Sequence, residues 1–490
     1  MNRPDILVFI SDQHTPYFTG YKGGPVDTPA LDALSREGVR FDNAYTPCPL
    51  CVPARMALLS TLMPYKTGIY SNNDTLPDMT PTFLHPLAAA GYETVLVGRM
   101  HFVGANQRHG FTKRIAPDTT PVSWTRPVEK LRRERGPLVM TFADPGAVKI
   151  VGGGESPVIH YDAMVVQKAL EYLNMPHDKP QFIVVGTYGP HFPYITTPSL
   201  FRKYYQRVKE SELFQKKPEY MNPLLTARRL DVPPDVARGC AAAYCGLIEQ
   251  MDAQIGKVRA AFTRFCQSRG TGSVFCYLSD HGDQVGDRGL FGKDTFFEKS
   301  VKVPMIFAGD GVAKGVCHHG AVSLLDFGPT VLSLSGAAPM TESDGVSLAE
   351  SLTGAAPDPD RVVLSEQMEG WMTKDDFHYA RMAVKGDWKF FTYAGQEGYD
   401  VLFNIANDPE EMHNCIQEEP GLASFLREQA EATGDPKALE AWQRRKAIHA
   451  EWFRDYEAAT AIDDTERWQG NPPTARGELD VSVTGQGEHP

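Results

Sequence analysis

The chain has 490 residues, 42% of them apolar and 22% charged, with a net charge of −12. That length suggests two or three domains, or one large α/β unit with a smaller unit appended. The composition is that of a globular protein with a sizeable core, and the negative charge argues against general binding to nucleic acid or anionic membranes, though not against a small anionic substrate in a locally positive pocket.

The first predicted element is the strand in "DILVFISDQH" (5–14), apolar on both faces until it reaches Asp12, Gln13 and His14. Its apolar run is too short for a signal-peptide core or a membrane span, and no later stretch approaches about eighteen uninterrupted apolar residues. A cytoplasmic location is expected. The eight cysteines (48, 51, 240, 245, 266, 276, 317, 415) are then expected to be reduced and mostly buried. An amphipathic helix is predicted over 28–38, stopped by Gly38.

"CPLCVPARMALL" (48–59) comes next. Cys48 and Cys51 form a C-x-x-C pair, but the second pair or the paired histidines of a structural zinc site are missing, and Cys48 reads as a packed thiol. Pro53 suits the first turn of a helix whose N-terminus falls at Cys51. Free N–H groups there favour an anion, and Arg55 adds a full positive charge one turn in. Cys51 therefore stands where a nucleophile attacking an anionic ester would stand. Asn72 and Asn73 follow, and Asn73 is a candidate substrate contact.

A helix over 83–92 leads into the strand "ETVLVGRMHF" (93–102), which delivers Arg99 and His101. Trp124 is a candidate pocket wall. A helix over 161–173 precedes the strand run 181–194, which carries His191. Residues 195–238 lack a strand pattern, carry many basic groups, and read equally as an insertion over the site rim or a surface excursion. The longest helical pattern spans 241–265, and the strand run "SVFCYLSDHGD" (273–283) ends in Asp280, His281 and Asp283. A further strand run covers 303–311. Runs apolar on both faces, separated by helices, predict a large, mostly parallel sheet flanked by helices. Ligands bind beyond the carboxyl ends of such strands, where four runs here deliver acids, imidazoles and a cation. A boundary is predicted at "GAAPDPDR", dividing 1–360 from a smaller C-terminal α+β subdomain, 361–490, with an antiparallel sheet, helices over 421–433 and 436–458, and an extended polar tail.

Cys51–Val52–Pro53–Ala54–Arg55 resembles the signature of the formylglycine-dependent sulfatases, in the alkaline-phosphatase-like superfamily. The segments around Asp12, Arg99–His101, His191, Asp280–Lys293 and 321–336, and the C-terminal "VKGDWKFF" and "LFNIANDPEE", resemble the family's remaining motifs in order and near its spacings. The choline-sulfatase-like subgroup looks most similar. The resemblance implies that Cys51 is oxidised to Cα-formylglycine by a formylglycine-generating enzyme, and that one hydroxyl of its hydrate attacks sulfur and expels the alcohol. Collapse of the resulting hemiacetal then releases sulfate. It further implies a divalent cation held by Asp12, Gln13, Asp280, His281 and residue 51, with Ca²⁺ usual and Mg²⁺ or Mn²⁺ open because His281 is a soft ligand for calcium. Arg55 would hold the diol, His101 would be the base for collapse, and His191 and Lys293 would hold sulfate and protonate the leaving oxygen. Arg99 replaces the usual lysine and would clamp sulfate as a poor proton donor. The expected substrate is a small organosulfate. A phosphonate monoester or phosphodiester is the alternative, and a homodimer or homotetramer is the expected assembly.

Overall fold

The computed structural model describes residues 3–104, 106–116, 118, 148–369 and 377–460. Trp124 and the polar tail lie outside them. Eight strands form the main path of the large sheet: β1 (Asp5–Asp12), β2 (Val39–Tyr45), β3 (Glu93–Gly98), β4 (Lys113–Ala116), β5 (Gln181–Pro190), β6 (Ser273–Ser279), β7 (Met305–Gly309) and β8 (Val316–Ser323). Their order is β8-β2-β7-β6-β1-β5-β3-β4, and a short strand at Lys302–Val303 pairs with β2. β7 alone on this path runs antiparallel to both its neighbours. The rest are parallel, so β1, β3, β5 and β6 open their carboxyl ends on one rim.

Alternating side chains send two apolar layers to opposite faces. Leu7, Phe9, Val95, Val97, Ile183 and Val185 meet helices Pro157–Leu173 and Pro234–Arg269. Ile6, Val8, Ile10, Leu96 and Val184 meet helices Cys51–Ser60 and Phe327–Ser335. The register between β1 and β5 slips at the rim: Ile10 faces Gly186, but Asp12 faces Pro190. The surplus residues of β5 bend that strand end away, as a bulge does, and open the crevice in which the site lies.

The predicted strands and helices recur, the strands ending earlier than expected, at Asp12, Gly98, Pro190, Ser279 and Gly309; the 241–265 helix is longer, from Pro234 to Arg269. β2, β4 and β8 were not expected. In 195–238 the structure has a short strand, Ile195–Thr196, and helices Pro198–Arg207 and Pro223–Ala227. β9 (Val363–Glu369), β10 (His378–Lys385), β11 (Trp388–Tyr393) and β12 (Val401–Asn404) form an antiparallel sheet. It shares a core with the larger sheet, Tyr45, Phe296 and Phe297 packing with Met382, Phe391 and Phe403. Helix Pro420–Glu431 covers its outer face through Leu426 and Ala430, and helix Pro436–Thr460 packs on Tyr70 and Tyr379 through Leu439 and Trp442. Among the described residues no helix is long and apolar enough to cross a membrane.

Candidate active site

Cys51 opens a helix that is buried along its whole length. Leu50 before it is extended and offers no side-chain cap. The Asn72 side chain accepts from the Val52 N–H at 2.8 Å and so fixes the first turn. Asp12 and Asp280 stand beside it at the ends of β1 and β6. Cys51 Sγ lies 3.1 Å from His281 Nε2 and 3.7 Å from Asp12 Oδ1. His281 Nε2 lies 3.7 Å from the Oδ1 atoms of both aspartates. The four ligand atoms lie within 4.8 Å of one another, all buried.

Each carboxylate splits its two oxygens between tasks. Asp12 Oδ1 faces Cys51 and His281, while its Oδ2 accepts from Arg99 Nε at 2.6 Å and Arg55 Nη2 at 3.2 Å. Asp280 Oδ1 faces His281, while its Oδ2 accepts from Arg55 Nε at 2.7 Å. His281 Nδ1 is 3.1 Å from the Gly282 carbonyl, which fixes the proton there and leaves the Nε2 lone pair aimed at the cluster. Two carboxylate oxygens, an imidazole nitrogen and residue 51 thus converge on one point, a donor set that fits a divalent cation. Burial opposes charge on Asp12, but the Arg99 and Arg55 guanidiniums overcome it and hold the carboxyl well below its ordinary value. Burial also opposes charge on His281, yet Asp280 and Cys51 push it up to about 9, so with no cation present Nε2 holds a second proton that a bound cation would displace.

Gln13 was expected among the metal ligands. Its left-handed backbone, φ 68°, turns the side chain elsewhere. Its Oε1 accepts from Lys293 Nζ at 2.6 Å and its Nε2 donates to Asp283 at 2.6 Å. Gln13 is therefore a bridge between an anchored carboxylate and a lysine. Asp283 is held in turn by Tyr194 OH at 2.8 Å and by the N–H groups of Val285 and Gly292, both at 2.8 Å. Lys293 Nζ also donates to His191 Nε2 at 2.6 Å, and His191 Nδ1 donates to the Phe192 carbonyl at 2.7 Å. Burial and the adjacent Lys293 charge keep His191 neutral, with its value well below the ordinary one.

Arg99 was expected to clamp sulfate. It is fully buried, and beyond Asp12 it donates to Asp118 at 3.2 Å and to His101 Nδ1 at 2.8 Å, with its guanidinium 4.1 Å over the Tyr188 ring. A guanidinium only donates, so His101 Nδ1 accepts and the neutral ring carries its proton on Nε2. To act as the expected base, His101 would have to leave Arg99 or lose that proton. Asn73 is exposed and lines a neighbouring cavity, whereas Asn72 reaches the helix of Cys51. Trp124 lies outside the described residues.

Asp118 and Asp162 escaped sequence reasoning. Asp118 holds the His101 N–H at 2.7 Å. Asp162 accepts from Tyr188 N at 2.6 Å and Gly189 N at 2.8 Å, in the bulged end of β5 just before His191. Burial pushes its carboxyl up to about 7. An acid on the apolar side of a predicted helix was the available signal for Asp162.

This rim, with its helix-borne residue 51 facing a cluster of carboxylates and imidazoles at the strand ends of an α/β sheet, is the site of a hydrolase of the alkaline-phosphatase-like fold. The chain belongs to the sulfatase family, whose model matches residues 4–337, and a second model, "N-sulphoglucosamine sulphohydrolase, C-terminal", matches residues 286–431. It is a sulfatase, an enzyme that hydrolyses sulfate esters, and its family implies a divalent metal and a formylglycine. A choline-sulfatase of Rhizobium meliloti (strain 1021) is 30% identical over 95% of this chain and 90% of its own length. Among solved structures, a phosphonate monoester hydrolase of Agrobacterium radiobacter superposes with a TM-score of 0.70 at 21% identity, covering 90% of this chain and 96% of its own. A 2-O GAG sulfatase superposes with a TM-score of 0.67 at 21% identity, covering 98% and 96%. Both share the fold.

Proposed function

We propose that the protein is a cytoplasmic hydrolase of a small organic sulfate monoester, matured at Cys51 by a formylglycine-generating enzyme and working with one divalent cation. The observation that carries this reading is the convergence of Cys51, Asp12, Asp280 and His281 on one point, with Lys293 and His191 paired nearby. Asp12, Asp280, His281 and residue 51 would hold the cation, which when bound supplies a positive charge for a sulfate oxygen and for the nucleophile. Two carboxylates suit Ca²⁺, and the imidazole favours Mn²⁺ over it; Mg²⁺ completes the set for metal analysis.

The remaining work falls to the chain's own side chains. Arg55, tied to the Oδ2 atoms of both aspartates, keeps their Oδ1 atoms pointed at the cluster. Arg99 does the same for Asp12 and also orients His101. Lys293 has three protons; one goes to Gln13 and one to neutral His191, leaving one for the leaving oxygen of the ester. His191, with its own proton on Nδ1 toward the Phe192 carbonyl, offers only a lone pair at Nε2 and so orients the lysine through that short contact. The eight cysteines are all free, in keeping with a reducing compartment. Self-association is supported by Ile448, Trp452 and Tyr456, exposed at four-residue spacing along the last helix.

The mass of the peptide containing residue 51, from protein made with a formylglycine-generating enzyme, tests the reading. Loss of the thiol in favour of an aldehyde supports it, and unmodified cysteine in active protein overturns the nucleophile. Rates on 4-nitrophenyl sulfate and on an aryl phosphonate then separate sulfate from the alternative substrate class, with sulfate expected to be preferred.

A further inference from the structure

A cavity of about 400 Å³ lies between the 71–75 loop and the last helix. Its walls include Asn73, Phe377, Gln443, Ala447, Ala450 and Phe453. The volume suits a small organic group. Two contacts tie this cavity to the reacting centre. Asn72, adjacent to Asn73, holds the first turn of the Cys51 helix at Val52. Thr75, which also lines the cavity, packs so closely on Gly104 that a β-carbon there would come within 2.7 Å of it, and Gly104 sits in the loop that follows His101. The 71–75 loop that forms one wall of the cavity thus also braces the nucleophile's helix through Asn72 and packs on the His101 loop through Thr75.

The cavity's chemistry is mixed. Asp74 and Lys446, both on its wall, form an ion pair with each other, and Asp74 further accepts from the N–H groups of Tyr70 and Ser71. The pair cancels its own charge, and the other ionisable side chain among the described residues on the wall is the His449 imidazole. Phe377, Ala447, Ala450 and Phe453 offer apolar surface. Gln443 is 5% exposed, and its Nε2 has no hydrogen-bond partner. A buried amide N–H without an acceptor is costly, so a ligand that supplies one is favoured.

We propose that this cavity is the subsite for the alcohol half of the sulfate ester, and that the alcohol is uncharged, with an apolar body and a hydrogen-bond acceptor reaching Gln443. This rests on the sulfatase reading above and names the substrate class of that same site.

The test uses full-length protein carrying formylglycine at residue 51 and three esters of growing size: methyl, phenyl and 4-methylumbelliferyl sulfate, the last bearing a lactone carbonyl as acceptor. Ala450→Trp fills the cavity from an exposed helix. It is expected to raise KM for the largest ester about tenfold and to leave methyl sulfate within about twofold. Gln443→Leu is expected to raise KM for the lactone ester alone, by about fivefold. Should Ala450→Trp fail to fold, Phe453→Ala, which only removes an exposed ring, carries the same size-ordered expectation. Variants that change all three esters equally, or none, overturn the subsite. Wild-type protein that turns over no sulfate ester overturns the sulfatase reading and the subsite with it, whereas turnover with size-blind variants overturns the subsite alone.

Discussion

Two regions of the molecule bury several charges each, and they do so in opposite ways. At the rim, Asp12, Asp280 and His281 use part of their polar surface on Arg55, Arg99 and the Gly282 carbonyl, and keep one donor atom each aimed at a shared point. Between the two sheets, Glu298 accepts from Lys302 at 2.5 Å and Lys389 at 2.8 Å, and Lys389 is also paired with Glu411. Glu411 in turn accepts from the Glu298 N–H at 2.8 Å. There the charges close on one another, and Glu298 is held far below its ordinary value because the two lysines outweigh burial. Burial of charge does not by itself mark function. Convergence of several donor atoms on one point does.

Substitutions can break each region separately. Cys51→Ala is expected to lower kcat for 4-nitrophenyl sulfate by at least about 10⁴-fold with little change in melting temperature, because the nucleophile and one cation-holding group are lost while the surrounding packing stays. Lys389→Met should do the reverse. It leaves buried Glu411 without its lysine and takes one of two lysines from Glu298, and is expected to cost about 3–5 kcal/mol in urea unfolding, with turnover per folded molecule retained. An equal loss of stability from both variants would erase the contrast.

A third buried acid sharpens the comparison through pH. Glu366 is fully buried, accepts from Tyr65 N and Tyr379 OH, and has its value pushed up by burial from 4.5 to about 7. A carboxyl with a raised value in the fold binds its proton more tightly folded than unfolded. Its contribution is therefore greatest below pH 4.5 and is lost as pH rises through about 7. Glu366→Gln should remove that slope, gaining about 1–3 kcal/mol at pH 8 relative to its effect at pH 4.5, read from urea midpoints at the two values. A wild-type slope that persists in the variant would assign it elsewhere.

The smallest effect concerns Asp162, which touches neither substrate nor cation but braces Tyr188 and Gly189. Asn in its place can accept from only one of those N–H groups with its single oxygen. Misplacing His191 should slow esters of poor leaving groups about tenfold and 4-nitrophenyl sulfate only about twofold, since proton delivery matters least for a good leaving group. A uniform loss would make Asp162 purely structural.

Much of this was legible in the sequence because the sheet is buried on both faces. Long apolar runs announce such strands, and the polar residue that ends each run, as in Asp12, Asp280 or Arg99, is thereby flagged. β2 and β8 hid because polar residues interrupt their apolar patterns, as Arg40 and Asp42 do in β2. The partners of Gln13 were illegible because they depend on a φ of 68° that turns the amide from the metal cluster to Asp283 and Lys293. Asn72 and Asn73 are neighbours in an irregular loop, and only its folded path decides which one faces the helix. Arg99 carries the right charge at the right place, yet its commitments to Asp12, Asp118 and His101 come from three separate segments.

The burial of Cys51 sets a timetable. The thiol is 1% exposed and walled by His281, which lies 230 residues further along the chain. At about 5–20 residues per second, a ribosome takes roughly ten to fifty seconds to make that interval. During it residue 51 has left the tunnel but its enclosure does not yet exist. The oxidation that the family implies would need an enzyme's grip on "CVPAR" before the chain closes, so folding and modification would compete for residue 51.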